Sequence, residues 1–236
     1  VKHMQASGVN TVGYIGFNDP WGDGIDKAFT ALAGPANINI VANERYARAD
    51  TSVEAQVLKI LAAKPDAVLI GGSGTPGALP AISLAGRGYK GAVYGNHGMV
   101  NPDFLRVGGK SVEGLIAPTG PLVVVELLPD SSPVKSIASS FVKAYDAAYG
   151  VQNRNAFAGY AYDANVLLEK AAPEAMKTAK PGTPAFRAAL RNALENLREV
   201  AGTHGVYTMS PANHNGMDAR ARVMVKVESG AWKMLQ

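Results

Sequence analysis

Cysteine is absent from the 236 residues of this chain, which excludes disulfide bonds, thiolate nucleophiles and cysteine-ligated zinc. The chain also has no apolar run near the roughly 20 residues that a membrane-spanning helix needs. No cluster of basic residues alternates with aromatic residues, so the formal net charge of +4 favours solubility rather than binding to nucleic acid. His204 and His214 lack the spacing of metal ligands, and we predict no metal site.

What is present is typical of a folded protein with one large or two smaller cores: hydrophobic residues make up 47% of the chain and charged residues 18%. The first residue is Val1 rather than methionine, and residues 1–8 resemble the last turns of a helix closed by Gly8. We therefore expect a product that starts inside a fold.

Apolar strands alternate with helical segments through the first half of the chain. A capping box at residues 51–54 is expected to open the second of these helices. This alternation predicts an α/β fold with a parallel, doubly wound sheet, right-handed crossovers and helices on both faces. The predicted strands are residues 11–17, 38–46, 67–70, 92–94 and 114–117, and the predicted helices are residues 25–33, 53–61, 77–87 and 102–107.

The organisation changes at residues 118–121, where two prolines and one glycine in four residues are typical of a domain crossing. Beyond this point the pattern is mostly helical, and the helices have apolar faces but no sheet of their own to cover. Something that should lie against these faces is therefore expected to be missing. The predicted helices are residues 134–148, 160–172 and 183–197, and the predicted strands are residues 206–209, 222–227 and 231–235.

Several short motifs follow one another in an order that resembles one known family. Each motif alone is weak, but their order and spacing together are fairly specific. The chain resembles, over nearly its whole length, the type I periplasmic solute-binding proteins of ABC transporters, in particular the branched-chain amino acid binding group. The motifs are residues 11–17 with the turn at 19–24, residues 46–53, 64–68, 88–90, 112–114, 128–130, 145–150 and 161–164, and the end of the chain from Gly205 to Leu235.

The resemblance implies a periplasmic, non-catalytic protein whose two α/β lobes close on a small solute and present it to a membrane permease. Residues 1–118 and 222–236 would form lobe two. Residues 119–221 would form the crossing and a partial, mostly helical lobe one, whose N-terminal half the chain would lack. The exposed helix faces should then lead to self-association, or need the missing segment as a separate chain.

The carboxyl ends of the predicted strands form the edge at which ligands bind in open parallel sheets. Ser73 and Thr75 follow the strand at residues 67–70, and His97 follows the strand at residues 92–94. Ser73 and Thr75 also precede a helix, whose free backbone N–H groups and dipole favour a carboxylate or another anion. Thr75 could instead only cap that helix.

Three aromatic residues are further candidates for ligand contact. Trp21 lies in the predicted turn after the first strand, where the family often places an aromatic over the ligand, although such a residue can also only cover the local core. Tyr46 ends the second strand at the same edge. Tyr160 precedes the motif at residues 161–164 and could reach the ligand from lobe one, but aromatics at a helix start more often belong to the core.

His97 departs from the pattern of the amino acid binders, which commonly carry at this position an acid that pairs with the ammonium group of the ligand. An imidazole cannot supply that negative charge, although it can donate a hydrogen bond to an acid. We therefore predict a solute with a carboxylate and no free ammonium group. A branched-chain amino acid is the alternative, and a surface histidine without a role is the simpler interpretation of His97.

Enzymatic function is disfavoured by the motifs that the chain lacks. Residues 71–75 nearly match the Gly-x-Ser-x-Gly nucleophile elbow, but Thr75 replaces the last glycine. No Gly-x-Gly-x-x-Gly follows the first strand, and there is no phosphate-loop lysine. We predict no catalysis and no cofactor. A ligand-sensing receptor domain of the same fold remains an alternative, and a hydrolase on a doubly wound sheet is a weaker one.

Overall fold

The computed structural model describes residues 1–235, which form two compact units. The first unit comprises Val1–Pro118 and the chain from Met224 onward, and the second comprises Thr119–Val223. Within the described residues no helix combines the length and the apolar character needed to cross a bilayer.

The described residues form eight α-helices and nine β-strands, together with short 3₁₀ turns. In chain order the elements are α1 (Lys2–Ala6), β1 (Thr11–Phe17), α2 (Pro20–Ala33), β2 (Asn39–Tyr46), α3 (Glu54–Ala62), β3 (Ala67–Gly71), α4 (Ala78–Gly86), β4 (Ala92–Tyr94), α5 (Pro102–Gly108), β5 (Ile116–Thr119), α6 (Lys135–Tyr149), α7 (Ala156–Met176), α8 (Pro184–Glu195), β6 (Val200–Ala201), β7 (Val206–Tyr207), β8 (Val223–Glu228) and β9 (Ala231–Met234).

The first unit is built on a seven-stranded sheet in the order β2-β1-β3-β4-β5-β8-β9. Strands β1 to β5 pair in parallel, whereas β8 and β9 form an antiparallel hairpin at one edge. The parallel pairs are joined by α2, α3, α4 and α5, as βα crossovers require. The α/β fold predicted from the sequence is confirmed.

Helices cover both faces of this sheet, as alternate residues of β1 show. Val12 and Tyr14 are buried in one cluster with Phe29 of α2. Gly13 points to the other face, because a Cβ atom at that position would lie 2.6 Å from the side chain of Ile60 in α3. Since side chains alternate along a strand, α2 and α3 pack on opposite faces.

Two local predictions about helix starts are wrong. Helix α2 begins at Pro20 rather than at Ile25, because the Asp19 side chain caps it and proline fits the first helical position. The capping box at residues 51–54 does not form: α3 follows Val53 without a side-chain cap. Glu54, which would have closed that box, instead accepts hydrogen bonds from Ser83 and Arg87.

The second unit consists mainly of α6, α7 and α8, with β6 and β7 as a small antiparallel pair. A buried cluster around Leu122, Val134 and Val142 forms one core of this unit. Helix α7 is longer than predicted, since Asn155 caps its start and it continues through Pro173. Five large apolar residues of this unit are between 50% and 66% exposed, namely Leu127, Tyr149, Val151, Phe157 and Met176.

Candidate functional site

The first unit brings several polar and aromatic residues to the carboxyl ends of four neighbouring parallel strands. Trp21 follows β1, Arg48 follows β2, Ser73 follows β3 and His97 follows β4. Because these strands run in the same direction, their carboxyl ends meet at one edge of the sheet, where ligands bind in folds of this kind.

Trp21 lies in the first helical turn of α2. This corrects the prediction that it lies in a non-helical segment between β1 and a helix that begins at Ile25. Asp19 fixes this helix start, since its Oδ1 atom accepts hydrogen bonds from the backbone N–H groups of Trp21 (2.9 Å) and Gly22 (3.1 Å). The buried Tyr14 hydroxyl donates to the carbonyl oxygen of Gly22 at 2.7 Å. The position of Trp21 is therefore set from two sides by polar contacts.

The loops that carry Ser73 and His97 are joined by hydrogen bonds. Asn96 is 5% exposed, and its amide nitrogen donates to the carbonyl oxygen of Gly72 at 2.7 Å. The backbone N–H of Gly74 donates to the carbonyl oxygen of Gly98 at 2.9 Å. Because buried hydrogen bonds of this kind hold both loops in one arrangement, Ser73 and His97 stay close together. No local pattern in the sequence indicates this role of Asn96.

Trp21, Ser73 and His97 converge around Gly98. The ring centroids of Trp21 and His97 are 5.3 Å apart. A Cβ atom at Gly98 would lie 2.8 Å from the Ser73 Cβ and 2.8 Å from the Trp21 ring. Only a glycine allows this approach, and the structure thus brings together three of the residues selected from the sequence. Among the described residues the buried Trp21 Nε1 has no hydrogen-bond partner.

His97 keeps part of its side chain at the surface, while its neighbours shield the rest from water. This partial burial holds the pKa of His97 below its ordinary value, because desolvation disfavours the charged imidazolium. The neutral ring, with one donor and one acceptor nitrogen, is therefore the favoured form near neutral pH.

Arg48 is a functional candidate that no sequence motif singles out, and the signal for it is its place two residues beyond β2. Its Nε atom donates to Asp19 Oδ2 at 2.6 Å, and its Nη1 atom lies 3.3 Å from the Ser73 hydroxyl. The guanidinium carbon stands 4.2 Å from the centroid of the Phe17 ring. Arg48 thus connects the start of α2 with the loop after β3.

The Asp19 carboxylate is engaged by the protein itself. Partial desolvation acts to raise the pKa of Asp19, but the hydrogen bonds from the Gly22 N–H and the Arg48 guanidinium outweigh it and hold that pKa below its ordinary value. Asp19 therefore stays ionised and already has its partners.

The structure buries Tyr46 and leaves Thr75 exposed. Tyr46 is 2% exposed, packs against Phe17 at 5.0 Å between ring centroids, and donates its hydroxyl to the carbonyl oxygen of Pro76 at 3.2 Å. It is a core residue that supports the edge of the sheet. Thr75 is exposed, but it lies in a 3₁₀ turn and makes no capping hydrogen bond.

Tyr160 belongs to the second unit, where its ring stacks on His204 with centroids 3.9 Å apart. Burial raises the pKa of Tyr160, so the hydroxyl stays protonated. The neighbouring Asp163 is 1% exposed and accepts hydrogen bonds from the backbone N–H groups of Thr203 and His204 and from the Tyr207 hydroxyl. Tyr160 thus lies beside a buried polar cluster that organises this unit.

Groups that could bind a metal ion are not found in residues 1–235, where no three His, Asp or Glu side chains come together. What the edge of the first unit offers instead is a set of hydrogen-bond donors beside an aromatic ring. These features define a doubly wound α/β unit whose candidate ligand site lies at the carboxyl edge of the sheet.

Comparison with known proteins agrees with this class. The profile of the family described as periplasmic binding protein matches residues 1–231. An extracellular ligand-binding receptor from Rhodopseudomonas palustris HaA2 is 42% identical to the chain, with a TM-score of 0.97. That alignment covers 100% of this chain and 66% of the receptor. No curated protein sequence matches the chain.

More distant solved structures share the fold. A leucine binding protein from Thermotoga maritima is 21% identical, with a TM-score of 0.80, over 99% of this chain and 61% of its own. A solute binding protein of an ABC transporter from R. palustris, solved in complex with benzoate, is 18% identical, with a TM-score of 0.76, over 99% of this chain and 59% of its own.

The chain belongs to the periplasmic binding protein family, which confirms the resemblance seen in the sequence. It spans 66% of the length of the Rhodopseudomonas receptor. Members of the family are periplasmic or extracellular binding proteins, and the proteins to which this chain is similar bind ligands without catalysing a reaction.

Proposed function

We propose that this protein is a periplasmic solute-binding protein that captures a small solute carrying a carboxylate and delivers it to an ABC permease. Family membership supports the binding role, and the 42% identity to a ligand-binding receptor supports it further. We also propose that the two units correspond to the two lobes of such proteins, with the first unit as lobe two and the second as part of lobe one. Closure about a hinge would then accompany capture.

The observation that carries the choice of solute is the chemistry of the edge in the first unit. Ser73, Arg48 and the neutral His97 offer hydrogen-bond donors there, and the Trp21 ring offers an apolar surface. The acid in this cluster, Asp19, is held by two backbone N–H groups and by Arg48. A ligand ammonium group would have to compete with these bonds, whereas a carboxylate would meet donors.

Thr75 and Tyr160 have separate places in this proposal. Thr75 is exposed beside Ser73 and is available as a further hydroxyl donor to the solute. Tyr160 is half-buried in the second unit, and we propose it as a ligand contact from lobe one.

The proposal is tested by calorimetry on the full-length protein with benzoate and hexanoate, each paired with its neutral amide, and with leucine. We expect at least one acid to bind at least tenfold more tightly than its amide and more tightly than leucine. Tight binding of leucine without binding of either acid would overturn the proposal in favour of branched-chain amino acids. Absence of binding by both acids and leucine would also overturn it.

Transport and sensing are separated by a second measurement. Uptake of the radiolabelled acid that binds is measured in cells that lack the gene for this protein. Loss of uptake supports delivery to a permease. Unchanged uptake would contradict that delivery and favour a ligand-sensing receptor of the same fold.

A further inference from the structure

Two arginines near the end of β2 resemble each other but differ in how many of their donors are used. Arg45 donates to Asp26 at 2.8 Å, lies 3.5 Å from Asp23 and also binds Asn43 and the Glu44 carbonyl oxygen. Its side chain is 28% exposed. The guanidinium of Arg45 is therefore fully engaged by the protein.

Arg48 is engaged on one side only. Its Nε atom donates to Asp19 and Nη1 makes a long contact of 3.3 Å with the Ser73 hydroxyl, whereas Nη2 has no hydrogen-bond partner among residues 1–235. The side chain is 51% exposed. The edge of the guanidinium formed by Nη1 and Nη2 is therefore available, and this edge has the geometry that binds a carboxylate through two parallel hydrogen bonds.

The orientation of this available edge is fixed before any solute arrives. Asp19 holds the Nε atom, and the Phe17 ring lies under the guanidinium plane at 4.2 Å. Asp19 itself is stabilised by the N-terminus of α2, through the N–H groups of Trp21 and Gly22. The negative charge of Asp19 is thus shared between the helix and the arginine, which leaves Arg48 able to attract a second anion.

We propose that Arg48 is the residue that binds the carboxylate of the solute, through Nη1 and Nη2. This inference rests on the proposed function and adds the residue that selects for the charge. Ser73 would release Nη1 and donate its own hydroxyl to the same carboxylate. The paired hydrogen bonds favour a carboxylate over its neutral amide, because the amide presents one acceptor oxygen where the carboxylate presents two.

The test compares Arg48→Gln with Arg45→Gln in the full-length protein. The probe is the acid, benzoate or hexanoate, that binds the wild type more tightly, together with its neutral amide. We expect Arg48→Gln to weaken binding of the acid at least tenfold and binding of the amide less than twofold. Arg45→Gln removes an arginine of the same strand end and should leave both affinities within twofold of wild type.

Arg48→Lys provides a second variant that keeps the charge. We expect it to bind the acid more tightly than Arg48→Gln but at least threefold more weakly than wild type, since lysine cannot form the paired hydrogen bonds. Thermal unfolding of each variant verifies that it folds.

Wild-type affinity of Arg48→Gln for the acid would overturn the role of Arg48 and leave the proposed function intact. An equal loss for acid and amide would also overturn it, because a purely structural role moves both affinities together. Failure of the wild type to bind either acid would overturn the proposed function, and this inference with it.

Discussion

Asp19 in the first unit and Asp163 in the second both collect hydrogen bonds from backbone N–H groups, but they differ in what else surrounds them. Asp163 is 1% exposed, and its partners are Thr203, His204 and Tyr207. The Asp19 side chain is 25% exposed, and one of its partners is the half-exposed Arg48.

The same chemical group therefore has two roles: the Asp163 carboxylate stabilises the fold of the second unit, and the Asp19 carboxylate positions a residue at the surface of the first. Thr203, His204 and Tyr207 are buried together with Asp163, so their hydrogen bonds stabilise the interior of the second unit. Asp19 instead anchors an arginine whose other side faces solvent. Asp163 lies within the motif at residues 161–164, one of those that carry the family resemblance. Its hydrogen bonds give this motif a structural role.

The largest expected effect comes from Asp163→Ala. The substitution leaves two backbone N–H groups and the Tyr207 hydroxyl buried without their acceptor, and we expect a loss of about 3–5 kcal/mol in the free energy of unfolding. Urea unfolding followed by circular dichroism measures it. Asp103→Ala, an exposed carboxylate, is the control and should change stability by less than about 0.5 kcal/mol. A loss below about 1 kcal/mol for Asp163→Ala would remove the contrast between the two carboxylates.

Asp19→Ala should cost less, because water can replace much of what is lost. Removal of an N-cap side chain typically lowers stability by about 1 kcal/mol, and we expect a value near this for α2. Asp19→Asn keeps a capping oxygen and should recover most of the loss. Equilibrium unfolding of the three proteins checks this order. If Asp19→Ala destabilised the protein as much as Asp163→Ala, the comparison would be wrong.

Tyr207→Phe tests one bond of the buried cluster and remains measurable even if Asp163→Ala does not fold. It removes the hydroxyl that donates to Asp163 at 2.8 Å and keeps the ring. We expect a loss of about 1 kcal/mol in the free energy of unfolding. Tyr162→Phe, at a residue 38% exposed, is the matched control and should leave stability unchanged. Equal effects of the two substitutions would contradict the assignment.

The smallest expected effect concerns His97 and pH. Burial lowers the pKa of His97 in the folded protein, so the unfolded chain takes up the proton first as pH falls through the ordinary value of 6.5. The stability associated with His97 is therefore present above that pH and declines below it. In His97→Gln this decline should be smaller between pH 7.5 and pH 5.5, as measured by urea unfolding at both values. An identical decline in both proteins would show that His97 does not titrate as proposed.

Much of the first unit could be predicted from the sequence because its signals are local. The strand at residues 11–17 and the strand at residues 92–94 were predicted with the bounds that the structure shows, since apolar runs between turn residues mark buried strands.

The start of α2 was missed because Asp19, Pro20 and Trp21 resemble a turn until the capping hydrogen bonds are known. The capping box at residues 51–54 failed because Glu54 binds Ser83 and Arg87, both distant in sequence.

The candidate site was predictable only in part. Ser73 and His97 follow from the rule that ligands bind at the carboxyl ends of parallel strands. The local sequence does not single out Arg48 as a site residue. Its role depends on contacts with Asp19, Phe17 and Ser73, which lie at the ends of other strands. Tyr46 follows from its position at the end of β2, whereas its burial and its hydrogen bond to the Pro76 carbonyl oxygen depend on tertiary packing.

The sequence by itself determined the alternation of strands and helices, the family and the edge of the sheet at which polar residues gather, because these depend on local patterns and on chain order. Tertiary structure alone decided which polar groups are already paired. The Asp163 carboxylate is fully hydrogen-bonded within its own unit, whereas Nη2 of the half-exposed Arg48 has no hydrogen-bond partner in the described part of the chain. Hydrogen bonds between residues far apart in the chain make that distinction, and no local pattern records them.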